Sequence, residues 1–155
     1  MDIREDTPMT QTNTVEETRE LVERYHAAWG NEELTAFPDV LAEDVSVTFY
    51  DPTGGETRLG ANELREYWTN SFATRSNPAI EIHEIVAEPG RAMSHVTYSY
   101  THDEAEYGVP PTGNRVELEE WFTFRVEDGE IVELHSLANN LSRLRQLGIE
   151  IPIES

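Results

Sequence analysis

The sequence predicts an α+β fold: three helices in the first half, an antiparallel strand meander in the second, and a short helix at the end. Three observations carry this. Apolar residues recur at helical spacing over 18–29 and again over 64–72. Runs rich in β-branched and aromatic residues fill 45–50 and most of 79–137. The pairs Pro89-Gly90 and Asp128-Gly129 punctuate the second half as tight turns. Helices segregated from strands define the α+β class, and 155 residues suffice for one core.

Residues 1–13 are polar, carry Pro8 and show no period, so they read as a flexible tail ahead of one domain at 14–152. Thr14 with Glu17 is a capping-box pair. Behind it Thr18, Leu21, Val22, Tyr25, Ala28 and Trp29 form one helical stripe, which Gly30-Asn31 ends. A second short helix fits 32–37 before Pro38, and 39–44 reads as a turn. A strand over 45–50 stops at Asp51-Pro52, and Thr53-Gly54-Gly55 turns the chain. A third helix over 60–74 carries Leu64, Tyr67, Trp68, Ser71 and Phe72 on one face, and Asn77-Pro78 closes it. Strands follow over 79–88, 91–102, 115–126 and 130–137, with a polar loop at 103–113. A last helix spans 139–147, and Gly148 stops it.

Eleven basic residues face 31 acidic ones, for a formal net charge of −20. Every base is Arg, and Lys is absent. Such a surface repels phosphate backbones, which argues against a nucleic-acid partner. It also repels itself, and at about 1 M salt a Debye length of ~3 Å removes most of that repulsion. The composition fits a cytoplasmic protein of a salt-loving archaeon. No apolar run nears the ~18 residues that span a bilayer, so no membrane role is expected. The acidic start carries no secretory signal. Without Cys, disulfides, thiol catalysis and thiolate metal sites are excluded.

Three helices against one curved sheet can enclose a cone-shaped cavity. Tyr25, Trp29, Trp68 and Phe72 would supply its apolar wall, although the same spacing also describes a filled core. On the strands, Tyr98, Tyr100, Phe122 and Phe124 alternate in the same way, with sheet packing their first role and pocket lining their second.

Two motifs sharpen the reading. Tyr107-Gly108-Val109-Pro110-Pro111-Thr112-Gly113 precedes a strand, and Asp128-Gly129 with Ile131-Val132-Glu133 leads to Gln146-Leu147-Gly148. This resembles the SnoaL-like polyketide cyclase family, a branch of the nuclear transport factor 2-like fold, over about 14–152. The resemblance implies a cone-shaped fold, a curved antiparallel sheet wrapped by three helices of the N-terminal half plus a short C-terminal helix. It also implies an apolar pocket, a homodimer formed through the sheet, and ring closure by intramolecular aldol condensation without metal or organic cofactor. In that family pattern an Asp stands seven residues ahead of the Gln of Q-L-G, where it takes a proton next to a carbonyl. Asn139 occupies that position here, Asn140 follows it, and His135 replaces a usual Trp. An amide cannot accept a proton near neutral pH, so the base of the resemblance is missing.

Histidine is the natural substitute. His102 ends a strand as Thr101-His102, and residues 135, 137 and 139 share one strand face. The expectation is therefore a small enzyme in which His102 or His135 abstracts a proton and Asn139 orients a substrate oxygen. Its ligand would be a small apolar carbonyl or ester compound, held by Tyr25, Trp29, Trp68, Phe72, Tyr98, Glu120 and Phe122. Glu120 alternates with Leu118 and Phe122, so it points either into the cavity, where its pKa would rise, or to a solvated face. His83, His95 and His102 lie on separate strands without a ligand signature, so no metal is expected. The alternative is a binding module that keeps an apolar molecule unchanged. A third reading, epoxide opening or ketosteroid-type isomerisation, needs a deep carboxylate, for which only Glu120 and Asp103 are available.

Overall fold

A computed structural model describes residues 13–152. The expected tail lies outside the described residues except at its last position. There Asn13 is buried, and its Oδ1 accepts from the Gly129 backbone N–H at 3.1 Å.

Helix α1, Val15–Gly30, begins at the capping box: the Thr14 hydroxyl accepts from Glu17 N–H at 3.0 Å and Glu17 returns the bond to Thr14 N–H. Its Leu21, Val22, Tyr25, Ala28 and Trp29 are buried. The expected second helix is a 3-10 turn, Leu34–Asp39, which contains Pro38 instead of stopping before it. Strand β1, Leu41–Tyr50, starts inside the stretch expected to turn. Leu41 and Ala42 are buried there because Leu41 pairs with Ile131 at the far end of the chain. Strand β2, Glu56–Leu59, was not expected, since Glu-Thr-Arg-Leu has no apolar alternation. It forms because Asp51 Oδ1 accepts from the backbone N–H groups of Thr53 and Gly55, folding the chain back onto β1.

Helix α2 is Ala61–Thr74, capped at Gly60. The meander is β3, Ser76–Glu88; β4, Arg91–Thr101; β5, Arg115–Glu127; and β6, Glu130–Ala138. Helix α3, Asn140–Gln146, closes the chain. The sheet order is β2-β1-β6-β5-β4-β3, and every neighbouring pair is antiparallel except β1 with β6, which is parallel. The fold is the α+β cone of a curved sheet wrapped by helices.

Even-numbered residues of β4 and β5, and of β6 from Leu134 on, face the helices; ahead of the register shift Ile131 takes the inward place. Tyr98, Tyr100, Leu118, Phe122 and Leu134 are buried there, while odd-numbered neighbours such as Met93 and Trp121 are exposed. Trp29 stacks on Trp68 with centroids 4.8 Å apart, and Tyr25 stacks on Phe37. Between them sits His26. Its Nδ1 accepts from Trp29 Nε1–H at 3.1 Å, so the ring proton is on Nε2, 2.9 Å from Ser94 Oγ. Burial pushes the His26 pKa down to about 3, keeping the imidazole neutral. The narrow part of the cone is therefore packed solid. Tyr25, Trp29, Tyr98 and Phe122 belong to that filling rather than to the wall of a void, because their aromatic faces are taken up by one another.

Candidate functional site

The cavity lies at the wide end of the cone, with a volume of about 180 Å³. Phe49 of β1, Tyr67 and Trp68 of α2 and Pro52 form its apolar side. Glu120 of β5, Ser136 of β6, Asn140 and Arg143 of α3, and Tyr107 of the 103–113 loop form its polar side.

Strict alternation along β5 explains Glu120. The inward row reads Val116, Leu118, Glu120, Phe122, Phe124, Val126, so one carboxyl is carried inside with five apolar side chains. Burial pushes the Glu120 pKa up to about 7, against the pull of Arg143, Arg75 and the Ser136 hydroxyl. Tyr25, Tyr67 and Tyr98 feel the same carboxyl, and burial raises their pKa values as well, so these phenols are neutral.

Two buried arginines complete the polar side. Arg75, following α2, pairs with Glu106 at 3.3 Å and lies over the Tyr100 ring at 4.6 Å. Tyr100 OH donates to the other Glu106 oxygen. Arg143 is only 6% exposed, and its Nη1 donates to Tyr107 OH at 2.6 Å. Glu106 and Val109 bridge to each other, and Tyr107 and Gly108 at that turn have φ of 51° and 78°. The turn therefore delivers the Tyr107 ring to the cavity rim, where a φ above zero suits Gly108 best. Because Arg143 donates to the Tyr107 oxygen, the phenolic hydrogen is free to point at a ligand.

The expected convergence of His102, His135 and Asn139 does not occur. His102 is buried, but it faces the Pro-Pro-Thr-Gly loop instead of the cavity. Its Nδ1 is 2.9 Å from Thr112 Oγ1 and accepts from Thr112 N–H at 3.2 Å. This explains the Thr-His and Pro-Thr-Gly motifs together as one clamp. His135 and Asn139 do share a face, but it is the outer one. His135 is paired with Glu133 in solvent, since Leu134 and Ser136 take the inward positions. Asn139 is exposed and caps α3, its Oδ1 accepting from Ser142 N–H at 3.2 Å. Asn140, one residue on, is the amide that reaches the cavity, where its Nδ2 donates to Tyr50 O at 3.1 Å. Of the expected wall, Trp68 and Glu120 line the cavity, and Phe72 stacks behind Trp68 at 5.6 Å. Among the described residues no group of three His or carboxylates is placed to hold a metal ion.

Arg143, Tyr107 and Asn140 were not expected at the site. One signal was available for Arg143: it stands four residues before Leu147, on the helix face that Leu147 buries. Two substitutions check these placements. Changing His135 to Ala is expected to leave stability within about 0.5 kcal/mol in a denaturant melt, as for an open surface position. Changing Asn139 to Ala removes the α3 cap and should cost about 1 kcal/mol, whereas Asn139→Asp keeps the cap and should cost nothing.

Similarity to known proteins agrees with this fold. Residues 19–147 match the sequence pattern described as SnoaL-like polyketide cyclase. Among curated proteins no sequence match is found. Among solved structures, IdmH of Streptomyces antibioticus, provisionally assigned as a polyketide cyclase, is similar at a TM-score of 0.77 and 23% identity, covering 85% of this chain and 99% of its own. AclR of Streptomyces galilaeus, provisionally assigned as a hydroxylase, is similar at 0.77 and 22%, covering 92% and 91%. A SnoaL-like protein of Jannaschia sp. CCS1 is similar at 0.73 and 15%, covering 87% and 94%. At these identities the structures speak for the fold, and the match across 19–147 identifies the chain as a member of the SnoaL-like polyketide cyclase family.

Proposed function

We propose that the protein is a cofactor-free acid–base enzyme acting on a small carbonyl compound, with Glu120 as the base. The observation that carries this is a buried carboxyl, Glu120, lining the same cavity as the phenolic donor of Tyr107. With its pKa near 7, Glu120 exists in both protonation states at neutral pH, as a group that takes and returns a proton needs. It would remove hydrogen from carbon next to a carbonyl, while Tyr107 OH, polarised by Arg143, donates to the enolate oxygen. The proton then returns to carbon, or the enolate carbon attacks a second carbonyl to close a ring. His102, His135 and Asn139 lose the roles expected for them, and the chemistry passes to the third, carboxylate-based reading.

Deuterium exchange tests this. Small ketones in D2O should gain deuterium at the α-carbon well above the protein-free rate with the wild type, and at least about a hundredfold more slowly with Glu120→Gln. Catalysed exchange that is undiminished in the variant overturns the assignment, as does the absence of catalysis for all such compounds. The amide of Asn140 on the cavity wall favours a second reading, a module that holds an apolar ligand unconverted. Saturable binding with the ligand recovered intact supports it.

The same proposal includes a homodimer in a salt-rich cytoplasm. The surface charge of −20 supports the salt, and the apolar strip of Val86, Met93, Trp121 and Leu137 on the outer sheet face supports the dimer. Sedimentation in high salt should give twice the monomer mass, and Trp121→Glu should halve it.

A further inference from the structure

The charges around the cavity do not balance, and the imbalance points to the ligand. The chain has 31 acidic residues for 11 Arg, so partners for a guanidinium are plentiful. Arg75 has found one in Glu106. Arg143, 94% hidden from solvent by its 6% exposure, has no carboxylate within ion-pair distance among the described residues. Among the described residues the guanidinium's only hydrogen bond is to Tyr107 OH, and its Nε–H is fully buried with no acceptor. A buried cation with no carboxylate at ion-pair distance is costly; Glu120, the carboxyl that feels Arg143, is only half ionised at its pKa of about 7, so a bound anion would supply the charge it does not. The carboxylate at the rim, Asp51, is occupied by donors of its own turn: the backbone N–H groups of Thr53 and Gly55 and the Thr53 hydroxyl.

We propose that the cavity takes a small carboxylate-bearing molecule, whose anionic oxygens are held by Arg143 while an unsaturated or aromatic body lies on Phe49, Tyr67 and Trp68. This deepens the reading of Glu120 and Tyr107 as the reacting site and rests on the same cavity. A volume of about 180 Å³ is close to the ~150 Å³ that encloses a benzene ring, so the body is about one ring in size. The guanidinium fork suits a planar carboxylate better than it suits a neutral carbonyl.

A pH dependence follows. Glu120 is faced by Arg143 of α3, Arg75 after α2, Tyr25 of α1, Tyr67 of α2, Tyr98 of β4 and Ser136 of β6. The arginines stay charged and the phenols neutral, so Glu120 is the member of this group that gains charge between pH 6 and 8. Its ionisation places a second negative charge beside the ligand, and anion binding weakens as pH rises.

Benzoate and its neutral isostere benzamide are the probes, titrated into the full chain in high salt by calorimetry. Benzoate should bind about tenfold tighter than benzamide at pH 6. That preference should fade towards pH 8, disappear in Arg143→Gln, and persist at pH 8 in Glu120→Gln. Equal affinities for the two probes overturn the proposal, as does a wild type that binds neither. If Arg143→Gln fails to fold, the wild-type comparison alone decides. Benzoate preference without any deuterium exchange removes the role of Glu120 as base and leaves this site standing. Exchange without the preference does the reverse.

Discussion

Replacing Glu120 by Gln should abolish α-proton exchange and, at alkaline pH, make the protein more stable. The carboxyl has a pKa near 4.5 in the unfolded chain and about 7 in the folded one. A folded value above the unfolded one means that the folded state favours the protonated acid. That preference is fully present below pH 4.5 and is lost as pH rises through 7. At 1.36 kcal/mol per pH unit the gap corresponds to about 3 kcal/mol of stability forgone at pH 8. Gln is neutral at every pH and avoids the loss. Denaturant melts at pH 5 and pH 8 should therefore show the variant gaining on the wild type with pH, while its exchange rate falls by about a hundredfold or more. A stability difference that is flat with pH would place the carboxyl in water.

The second large effect has the opposite sign and comes from His26. Its folded pKa, about 3, lies below the ordinary 6.5, so the folded state favours the neutral ring. The contribution is fully present above pH 6.5 and is lost as pH falls, by about 3 kcal/mol at pH 4. Protonation would put a charge among Tyr25, Phe122 and Phe124 and remove the acceptor that Trp29 Nε1 uses. Glu120 and the many surface carboxylates change stability over the same range, so the comparison is with His26→Gln. The variant should be weaker at pH 7 and lose less on acidification. Parallel acid limbs for the two proteins would refute the assignment.

Local chemistry made most of the fold legible. The capping box at Thr14 and Glu17, the turns at Pro89-Gly90 and Asp128-Gly129, and the stripes on α1 and α2 each report on residues close in sequence. What could not be read there depends on distant partners. Strand β2 has no pattern of its own and exists because β1 lies beside it. Residues 39–44 look like a turn until Leu41 meets Ile131. The site divides in the same way. Alternation on β5 put Glu120 with Leu118 and Phe122, which allowed it to face inward. On β6 the same rule grouped His135 with Asn139 but could not say which side the group faces, and the buried Leu134 decides that. Arg143 and Tyr107 meet across 36 positions, through a helix laid over the mouth of the cone, a juxtaposition with no sequence signature.

The one parallel seam in the sheet has a consequence for how the molecule is made. Strand β1, at 41–50, lies between β2 and β6, and β6 is residues 130–138. On the ribosome, β1 therefore waits with one hydrogen-bonding edge unsatisfied until residues 130–138 have emerged, and such distant pairing is slow to form. The acidic side chains Glu43 and Asp44 on that strand repel the same strand of a neighbouring nascent chain. Refolding from denaturant should thus end in a slow phase in which β1 docks. Trp68, which meets the Phe49 ring near the end of β1 edge-on with centroids 6.5 Å apart, would report that phase by its fluorescence.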